Sequence, residues 1–133
     1  MVTTERKERE QHETVVVRVE SDKEWFDGMR ETMRKLDEGR ADEVEREYSV
    51  SLPSEKRLNE VLSPKRVELV RATRREEPSS MRELARIVER DIRQVSDDVN
   101  ELASLGLIEL IEEGSAKRPV VPYDELDVRI PVG

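Results

Sequence analysis

The stretch that decides the fold is SSMRELARIVERDIRQVSDDVNELASLGLIEL, residues 79–110. Its apolar residues recur at spacings of three and four, which place side chains on one face of an α-helix. The two apolar sets are Met81, Leu84, Ala85 and Val88, followed by Ile92, Val95, Val99 and Leu102. Ser80 with Glu83 is a capping box that starts the first helix, and Gly106 is a cap that ends the second. The pattern predicts a short helix, a tight connection at 89–91 and a longer helix over 91–105.

Elements on both sides of this stretch extend the pattern. Ser63-Pro64 places a serine at a helix cap and a proline in its first turn, and another short helix follows Pro53. Downstream, residues 107–121 predict a hairpin around Glu113-Gly114-Ser115, and residues 126–132 alternate as a last strand. The order after residue 53 is therefore four helices, a hairpin and a strand. This order, with two of the helices joined by a tight turn, is typical of a winged helix-turn-helix domain.

A different pattern occupies residues 14–52. TVVVRVE, residues 14–20, is β-branched and predicts a strand, and Ser21 with Glu24 predicts a helix start. Gly39 is the expected end of that helix, and residues 43–52 alternate as a second strand. The alternation places Val44, Arg46, Tyr48, Val50 and Leu52 together on one face of this predicted strand. The first 52 residues thus read β-α-β.

The predicted helix of this unit carries an apolar stripe at helical spacing. Its members are Trp25, Phe26, Met29, Met33 and Leu36. We interpret the stripe as core or as a dimer interface rather than as a ligand pocket. A homodimer is expected because 52 residues with few aromatics bury little surface alone. A dimer also suits the reading of two half-sites about one DNA turn apart.

The predicted fold class is α+β, a winged helix-turn-helix with a small N-terminal β-α-β unit. Three segments follow from the patterns: a flexible tail at 1–13, a β-α-β dimerisation extension at 14–52, and a winged-helix DNA-binding domain with a C-terminal strand at 53–133. The single histidine, His12, falls in the tail. A metal or catalytic role for it is therefore not expected.

Composition excludes several classes of function. Cysteine is absent, so disulfides, thiol catalysis and cysteine-ligated zinc are excluded. The five glycines are isolated, and neither a phosphate-binding loop nor a GxSxG or HExxH motif occurs. We expect no enzyme, no cofactor and no metal. The absence of a long apolar run and of a signal peptide predicts a cytoplasmic protein without a membrane segment.

The distribution of charge favours a nucleic-acid partner for part of the chain. Acidic residues exceed basic ones by 32 to 24, giving a net charge of -8, whereas residues 56–93 hold 11 basic and 7 acidic side chains. Contact with phosphates needs such local positive charge. Overall acidity with abundant arginine has two explanations, an arginine-rich chain from a high-GC genome or adaptation to a salt-rich cytoplasm. We favour a halophilic protein.

The segments SPKRVELVRA, residues 63–72, and 79–110 closely resemble winged-helix regulators of the MarR/ArsR-like group. They look most like a haloarchaeal and bacterial set of predicted transcriptional regulators. That set shares the pattern LSPKRLELLRAL…SIRELAR…RDYKNVHRDVKALEELGLIE behind a short β-α-β segment. The resemblance covers residues 58–128, with a looser match back to residue 14. The chain departs at Ile92-Arg93-Gln94, where members often carry an aromatic and a lysine. The resemblance implies a DNA-binding regulator, and some members look like the antitoxin half of toxin–antitoxin pairs.

The residues that we predict to contact double-stranded DNA are Ser79, Ser80, Arg82, Arg90, Arg93, Gln94, Asp97, Asn100, Lys117 and Arg118. At 100° per residue, the face opposite the apolar stripe of the longer helix presents Arg90, Arg93, Asp97, Asn100 and Ser104, with Gln94 at its edge. Arg93 suits guanine, and Asn100 or Gln94 suits adenine. Asp97 either accepts from a cytosine amine or positions Arg93.

The remaining predicted contacts are to the DNA backbone. Ser79 and Ser80 are predicted to bind a phosphate through hydroxyl and backbone N–H groups at a helix start. Lys117 and Arg118 lie near the hairpin tip, where a wing reaches the backbone or the minor groove.

Three hypotheses about function remain open at this point. The leading one is a sequence-specific transcriptional regulator that reads the major groove with helix 91–105. The alternative is an antitoxin-like or other protein-interaction module, in which the winged helix docks on a protein and the acidic segment 20–47 binds a basic, toxin-like partner. The third is an effector-sensing switch with a ligand between the β-α-β unit and the winged helix.

Overall fold

The computed structural model describes residues 14–44 and 48–133. The elements are strand β1 (Thr14–Val19), helix α1 (Asp22–Asp37), a 3-10 turn (Ala41–Glu43), strand β2 (Ser49–Leu52), helices α2 (Glu55–Val61), α3 (Pro64–Glu76), α4 (Met81–Ile87) and α5 (Ile92–Ser104), and strands β3 (Glu109–Glu113), β4 (Ala116–Val120) and β5 (Glu125–Arg129). Helices and small sheets occur together, which confirms the α+β class. The predicted tail with His12, and Arg46 of the predicted second strand, lie outside the described residues.

Local capping signals determine where the helices begin and end. At the start of α1, the Glu24 N–H donates to the Ser21 hydroxyl over 3.2 Å, and the Ser21 N–H donates back to the Glu24 carboxylate over 3.4 Å. This is the predicted capping box. Gly39 ends α1 and Gly106 ends α5 with positive φ angles of 73° and 83°. Both predicted caps are confirmed.

A three-stranded sheet in the order β2-β1-β5 joins the two ends of the described chain. Both neighbours run parallel to β1, and Val17 lies between Val50 on one side and Val128 on the other. The β1-α1-β2 unit is therefore present. Of the strand predicted over 43–52, Ser49–Leu52 form β2, whereas Glu43 belongs to the 3-10 turn. The last strand, assigned from sequence to the segment 53–133, is hydrogen-bonded to the strand that begins the segment 14–52.

One hydrophobic core serves the sheet and the helices together. Val15 and Val17 of β1 are fully buried in the same cluster as residues of α2 to α5. The helix residues in this cluster include Leu58, Leu69, Leu84, Val95, Val99 and Leu102. Each such side chain contributes about 1.5–3 kcal/mol when it is buried completely. The strands of 14–52 and the helices of 53–133 therefore stabilise one another.

Two tyrosine hydroxyls form hydrogen bonds to the turn that follows α5. The Tyr48 hydroxyl donates to the Gly106 carbonyl, and the Tyr123 hydroxyl donates to the Leu107 carbonyl over 2.8 Å. Tyr48 precedes β2 and Tyr123 precedes β5. The turn is therefore hydrogen-bonded to residues next to both edge strands of the sheet. Burial raises the pKa of both phenols, and the negative charge of Glu109 adds to the rise at Tyr48.

Helix α1 stands apart from this core. None of its 16 residues is buried. The stripe that the sequence assigns to core or dimer interface is exposed, with Phe26 at 54% and Met33 at 53% of full exposure. The interpretation as core is therefore wrong within one chain. The interpretation as a dimer interface stays a prediction.

Candidate nucleic-acid interface

Helices α4 and α5 are joined by a tight connection of four residues, 88–91. It is closed by two backbone hydrogen bonds, from the Glu89 N–H to the Arg86 carbonyl over 3.2 Å and from the Arg90 N–H to the Ala85 carbonyl over 3.0 Å. Glu89 takes the left-handed conformation that this Schellman closure needs, with φ at +54°. Asp91 then caps α5 by accepting from the Arg93 N–H over 2.8 Å. The chain thus reverses within one short segment and sets α5 beside α4.

Helix α5 has one face in the core and one in solvent. Val95, Val99 and Leu102 are completely buried. Arg93, Gln94, Asp97 and Asn100 are all exposed. Since Arg93, Asp97 and Asn100 are spaced by four and three residues, they share one face of the helix. The structure brings together these three predicted contact residues, with Gln94 beside them.

The other two acidic side chains of α5 form ion pairs within the protein. Asp98 accepts from Arg66 Nε over 3.1 Å and from Arg90 Nη2 over 2.8 Å. Glu101 accepts from Arg57 of α2. These ion pairs attach α5 to the neighbouring helices and neutralise its inward acids. Asp97 is left as the exposed acid of the helix.

Arg90 does not lie where the sequence predicts it. Its side chain is only 15% exposed and points inward to Asp98. The 100° rule fails here because Arg90 precedes the capping residue Asp91 and is not part of the helix. In the described part of the chain, its Nε and Nη1 atoms are buried without a hydrogen-bond partner. The prediction that Arg90 faces outward is wrong.

Ser79 and Ser80 are engaged at the start of α4. The Ser80 hydroxyl accepts from the Glu83 N–H over 3.1 Å. The Glu83 carboxylate in turn accepts from both the N–H and the hydroxyl of Ser79, each over 3.1 Å. A carboxylate of the chain itself thus occupies the position that the sequence analysis gives to a phosphate.

Two arginines project from α4. Arg82 is exposed, as predicted. Arg86 is exposed one turn later and was missed by sequence reasoning. The signal for it was present, since Arg86 lies opposite the buried Leu84 and Ala85 when the helical periodicity is applied to α4.

Strands β3 and β4 form the predicted antiparallel hairpin, in which Glu112 pairs with Lys117. Lys117 is exposed. Arg118 donates from Nε to the Glu113 carboxylate across the hairpin. Of the two predicted wing cations, Lys117 is therefore exposed, whereas Arg118 is partly buried and paired with Glu113.

The arrangement of α3, α4, α5 and the hairpin coincides with a known sequence family. The model of the HVO_A0114 family, a family of haloarchaeal proteins, matches residues 61–128, just over half of the chain. The chain belongs to the HVO_A0114 family. No curated protein matches the sequence. The HVO_A0114 segment, residues 61–128, begins at the end of α2 and includes every predicted contact residue.

The HVO_A0114 segment also contains most of the lining of a cavity between α3 and β5. Its volume is about 790 Å³, and its walls include Val67, Val70 and Leu126. Arg71 and Arg75 also line it, whereas Arg74 is bound to Asp124 and to the Val121 carbonyl. The effector-sensing hypothesis expects a ligand between the β-α-β unit and the winged helix, and none of the described residues of 14–52 lines this cavity. That hypothesis stays a prediction.

The described residues contain neither a metal-binding cluster nor a membrane-spanning helix. Within 14–44 and 48–133, no three His, Asp or Glu residues form a group able to hold a metal ion. In the same residues, every helix is too short or too polar to cross a bilayer.

Proposed function

We propose that this HVO_A0114 protein is a sequence-specific transcriptional regulator of the winged helix-turn-helix type. Its partner is double-stranded DNA, and α5 is its recognition helix. The observation that carries the proposal is that α5 has one buried face and one exposed face. One face is completely buried, the inward acids are neutralised by arginines, and Arg93, Asp97 and Asn100 are presented together to solvent.

The spacing of these side chains fits base pairs in the major groove. Arg93 lies in the first turn of α5, the part that enters the groove in helix-turn-helix docking. Asn100 follows seven residues later, which is about 10.5 Å along the axis at about 1.5 Å per residue. This rise matches about three base-pair steps of about 3.4 Å each. In the proposed docking, Arg93 reads guanine, Asn100 reads adenine, and Asp97 accepts from a cytosine between them.

Contacts to the DNA backbone come from side chains that the fold leaves exposed. Arg82 and Arg86 project from α4, the helix that crosses the backbone in this mode of docking. Lys117 projects from the hairpin. Ser79, Ser80 and Arg90 are left out of the proposed interface because Glu83 and Asp98 occupy their polar groups.

The test is a selection of bound genomic fragments in about 2 M KCl, close to the salt that the composition implies, and again at low salt. Wild type is compared with Arg93→Ala/Asn100→Ala. Arg75→Ala is the control, because it removes one exposed positive charge from α3 outside the proposed interface. Each bidentate base contact is worth about 1–3 kcal/mol, so we expect the double variant to lose at least about tenfold in affinity.

Enrichment of one defined sequence by wild type and by Arg75→Ala, but not by the double variant, supports the proposal. If no protein enriches a sequence at either salt concentration, the proposal fails. The outer face of α5 is then a surface for docking another protein.

A protein-interaction role has a separate observation in its favour, the exposed stripe of α1. The acidic segment gives weaker support for a basic, toxin-like partner, because its acids are engaged by its own arginines. Glu31 is bound by Arg34 and Glu43 by Arg40, and these hydrogen bonds lower the pKa of both carboxyls. Recognition through α1 is therefore apolar rather than acidic.

A further inference from the structure

Helix α1 carries an apolar stripe that the described residues of its own chain leave largely exposed. The stripe comprises Trp25, Phe26, Met29, Met33 and Leu36, each more than 40% exposed. A helix of this length is marginal in water when it lacks tertiary packing. The two aromatic rings lie edge to face with their centroids 5.0 Å apart, so they present one continuous surface. These properties are those of a contact surface that a partner covers.

The position of α1 on the sheet shows which side of the molecule carries the stripe. A groove between the helix and the sheet is lined by Gly28 and Thr32 of α1, by Ser49 and Ser51 of β2, and also by the stripe residues Trp25 and Met29. In the sheet, these serines alternate with Val50 and Leu52, which enter the core beneath the helices. Helix α1 therefore lies on the sheet face that points away from α2 to α5. A partner bound to α1 leaves α5 accessible.

The spacing within the stripe favours a second helix of the same kind. Phe26, Met29, Met33 and Leu36 are separated by three, four and three residues, the a/d spacing of paired helices. This spacing is the same in both directions along the chain. An antiparallel copy therefore places Phe26 opposite Leu36 and Met29 opposite Met33 at every layer. Such self-complementarity is what a two-fold axis requires.

The charges of α1 select the antiparallel arrangement. Residues 22–28 carry three acids and one base, whereas residues 29–37 carry three bases and two acids. An antiparallel pair sets the acidic half of each helix against the basic half of the other. A parallel pair sets like halves together. The two helix dipoles are likewise opposed in the antiparallel pair, which is favourable.

We propose that the α1 stripe is the interface of a homodimer, occupied by the α1 helix of a second copy in antiparallel orientation. A basic partner protein is the competing occupant, and the engaged acids of this helix argue against it. The proposal is independent of DNA binding, because the interface lies on the opposite side of the sheet from α5.

The first test is the mass in solution by sedimentation equilibrium. Wild type is expected at twice 15.5 kDa. Phe26→Glu/Met33→Glu is expected to sediment as a monomer, since it places four like charges in the paired stripe. Lys23→Glu is the matched control, because it changes the net charge by the same two units at an exposed position away from the stripe. It is expected to stay dimeric.

The folding of the double variant is checked by circular dichroism and by thermal unfolding. The core is expected to persist, because α1 contributes no buried residue to it. Trp25, the single tryptophan, supplies a second readout. Its emission is expected to shift to the blue as wild type is concentrated from nanomolar to micromolar, and to stay constant in the double variant.

Orientation is tested with cysteines, which the natural chain lacks. Met29→Cys and Met33→Cys are oxidised separately and as a mixture. The antiparallel dimer predicts that the mixture forms far more cross-linked product than either variant alone. A wild-type mass of 15.5 kDa at micromolar concentration overturns the proposal. A dimer that survives Phe26→Glu/Met33→Glu also overturns it, as does preferential cross-linking of Met29→Cys with itself.

Discussion

Glu89 shows how much one residue can determine at the turn between α4 and α5. It holds φ at +54°, a conformation that L-residues other than asparagine and aspartate rarely adopt. The turn needs this conformation because the Schellman bonds of residues 89 and 90 close only around it. A glutamate at this position therefore carries backbone strain that a glycine avoids.

We expect Glu89→Gly to raise the free energy of unfolding by about 0.5–1 kcal/mol. The left-handed conformation costs about 1–2 kcal/mol for a residue with a Cβ, and the greater freedom of glycine in the unfolded chain offsets part of that. Denaturant unfolding measures the change. Glu89→Ala is the control, since it removes the carboxylate but keeps the Cβ. An equal gain in both variants contradicts the explanation by strain and points to charge.

Tyr123 makes the stability of the molecule depend on alkaline pH. Its pKa is raised by burial above the value of about 10 for an unfolded chain. Between the two values the folded protein keeps a proton that the unfolded chain releases, so the free energy of unfolding falls as the pH rises. We expect stability that is independent of this group below about pH 10 and a decline above it.

The measurement is urea unfolding between pH 8 and pH 11.5 for wild type and Tyr123→Phe. The variant is expected to lose about 1 kcal/mol at pH 8, where it lacks the hydrogen bond to the Leu107 carbonyl. Its decline above about pH 10 should be shallower by up to about 1.4 kcal/mol per pH unit. Parallel curves for the two proteins are evidence against this role of Tyr123.

Prediction from sequence succeeded for single residues where the partner is close in the chain. Ser21 and Glu24 form their capping box because both groups belong to one helical turn. Ser80 caps α4 as predicted, but Glu83 also reaches Ser79 and takes the groups reserved for a phosphate. The predicted orientation of Arg90 was wrong because Arg90 pairs with Asp98, and this pairing depends on how two helices pack.

At the scale of elements, α5 is held by ion pairs as well as by its apolar stripe. Arg66 and Arg90 both bind Asp98, and all three side chains are at most about one fifth exposed. Removing the carboxylate leaves two arginines facing each other in a poorly hydrated site, which is more costly than the loss of one hydrogen bond. Asp98 therefore positions α5 against α3.

We expect Asp98→Ala to lower the free energy of unfolding by about 2–3 kcal/mol. Asp97→Ala is the matched control on the same helix, because Asp97 is exposed, and its change should stay within about 0.5 kcal/mol. Thermal and denaturant unfolding give both values. A loss of stability in the control as large as that in Asp98→Ala means that helix charge, and not the ion-pair network, is responsible.

The helices and strands were largely predictable from the sequence. The elements that they pack against were predictable only in part. Periodicity and caps located all five helices and the hairpin, because each signal is local. The same periodicity found the stripe of α1 but not its exposure, since an apolar face carries no information about what covers it. The second strand was predicted to begin at residue 43 because Val44 fits the alternation, whereas residues 41–43 form a 3-10 turn.

At the scale of the whole molecule, some arginines form ion pairs within the fold, whereas others remain exposed on the surface. Arg57, Arg66, Arg90 and Arg118 are bound by carboxylates of the fold. The proposed DNA-binding surface retains few exposed cations for phosphates, namely Arg82, Arg86 and Lys117. In molar salt the screening length is only about 3 Å, so affinity has to come from close contacts and shape.

We therefore expect the affinity for a selected DNA site to depend weakly on salt. Three phosphate contacts per protomer predict a slope of log K against log [KCl] no steeper than about -3 for each protomer bound, or about -5.5 for the proposed dimer on two half-sites. Fluorescence anisotropy with a labelled duplex at a series of KCl concentrations measures it. Arg82→Ala is expected to make the slope shallower by about one unit. A wild-type slope of about -6 or steeper contradicts the proposed set of contacts.

The pairing of β5 with β1 has a consequence for the order in which the protein can assemble. A ribosome delivers Thr14–Val19 more than a hundred residues before Glu125–Arg129, so the central strand leaves the exit tunnel long before one of its two neighbours exists. Contacts between segments so distant in the chain form slowly. Until they form, the valines of β1 are exposed along an unpaired edge. During synthesis, the nascent chain must therefore keep this strand from pairing with other chains.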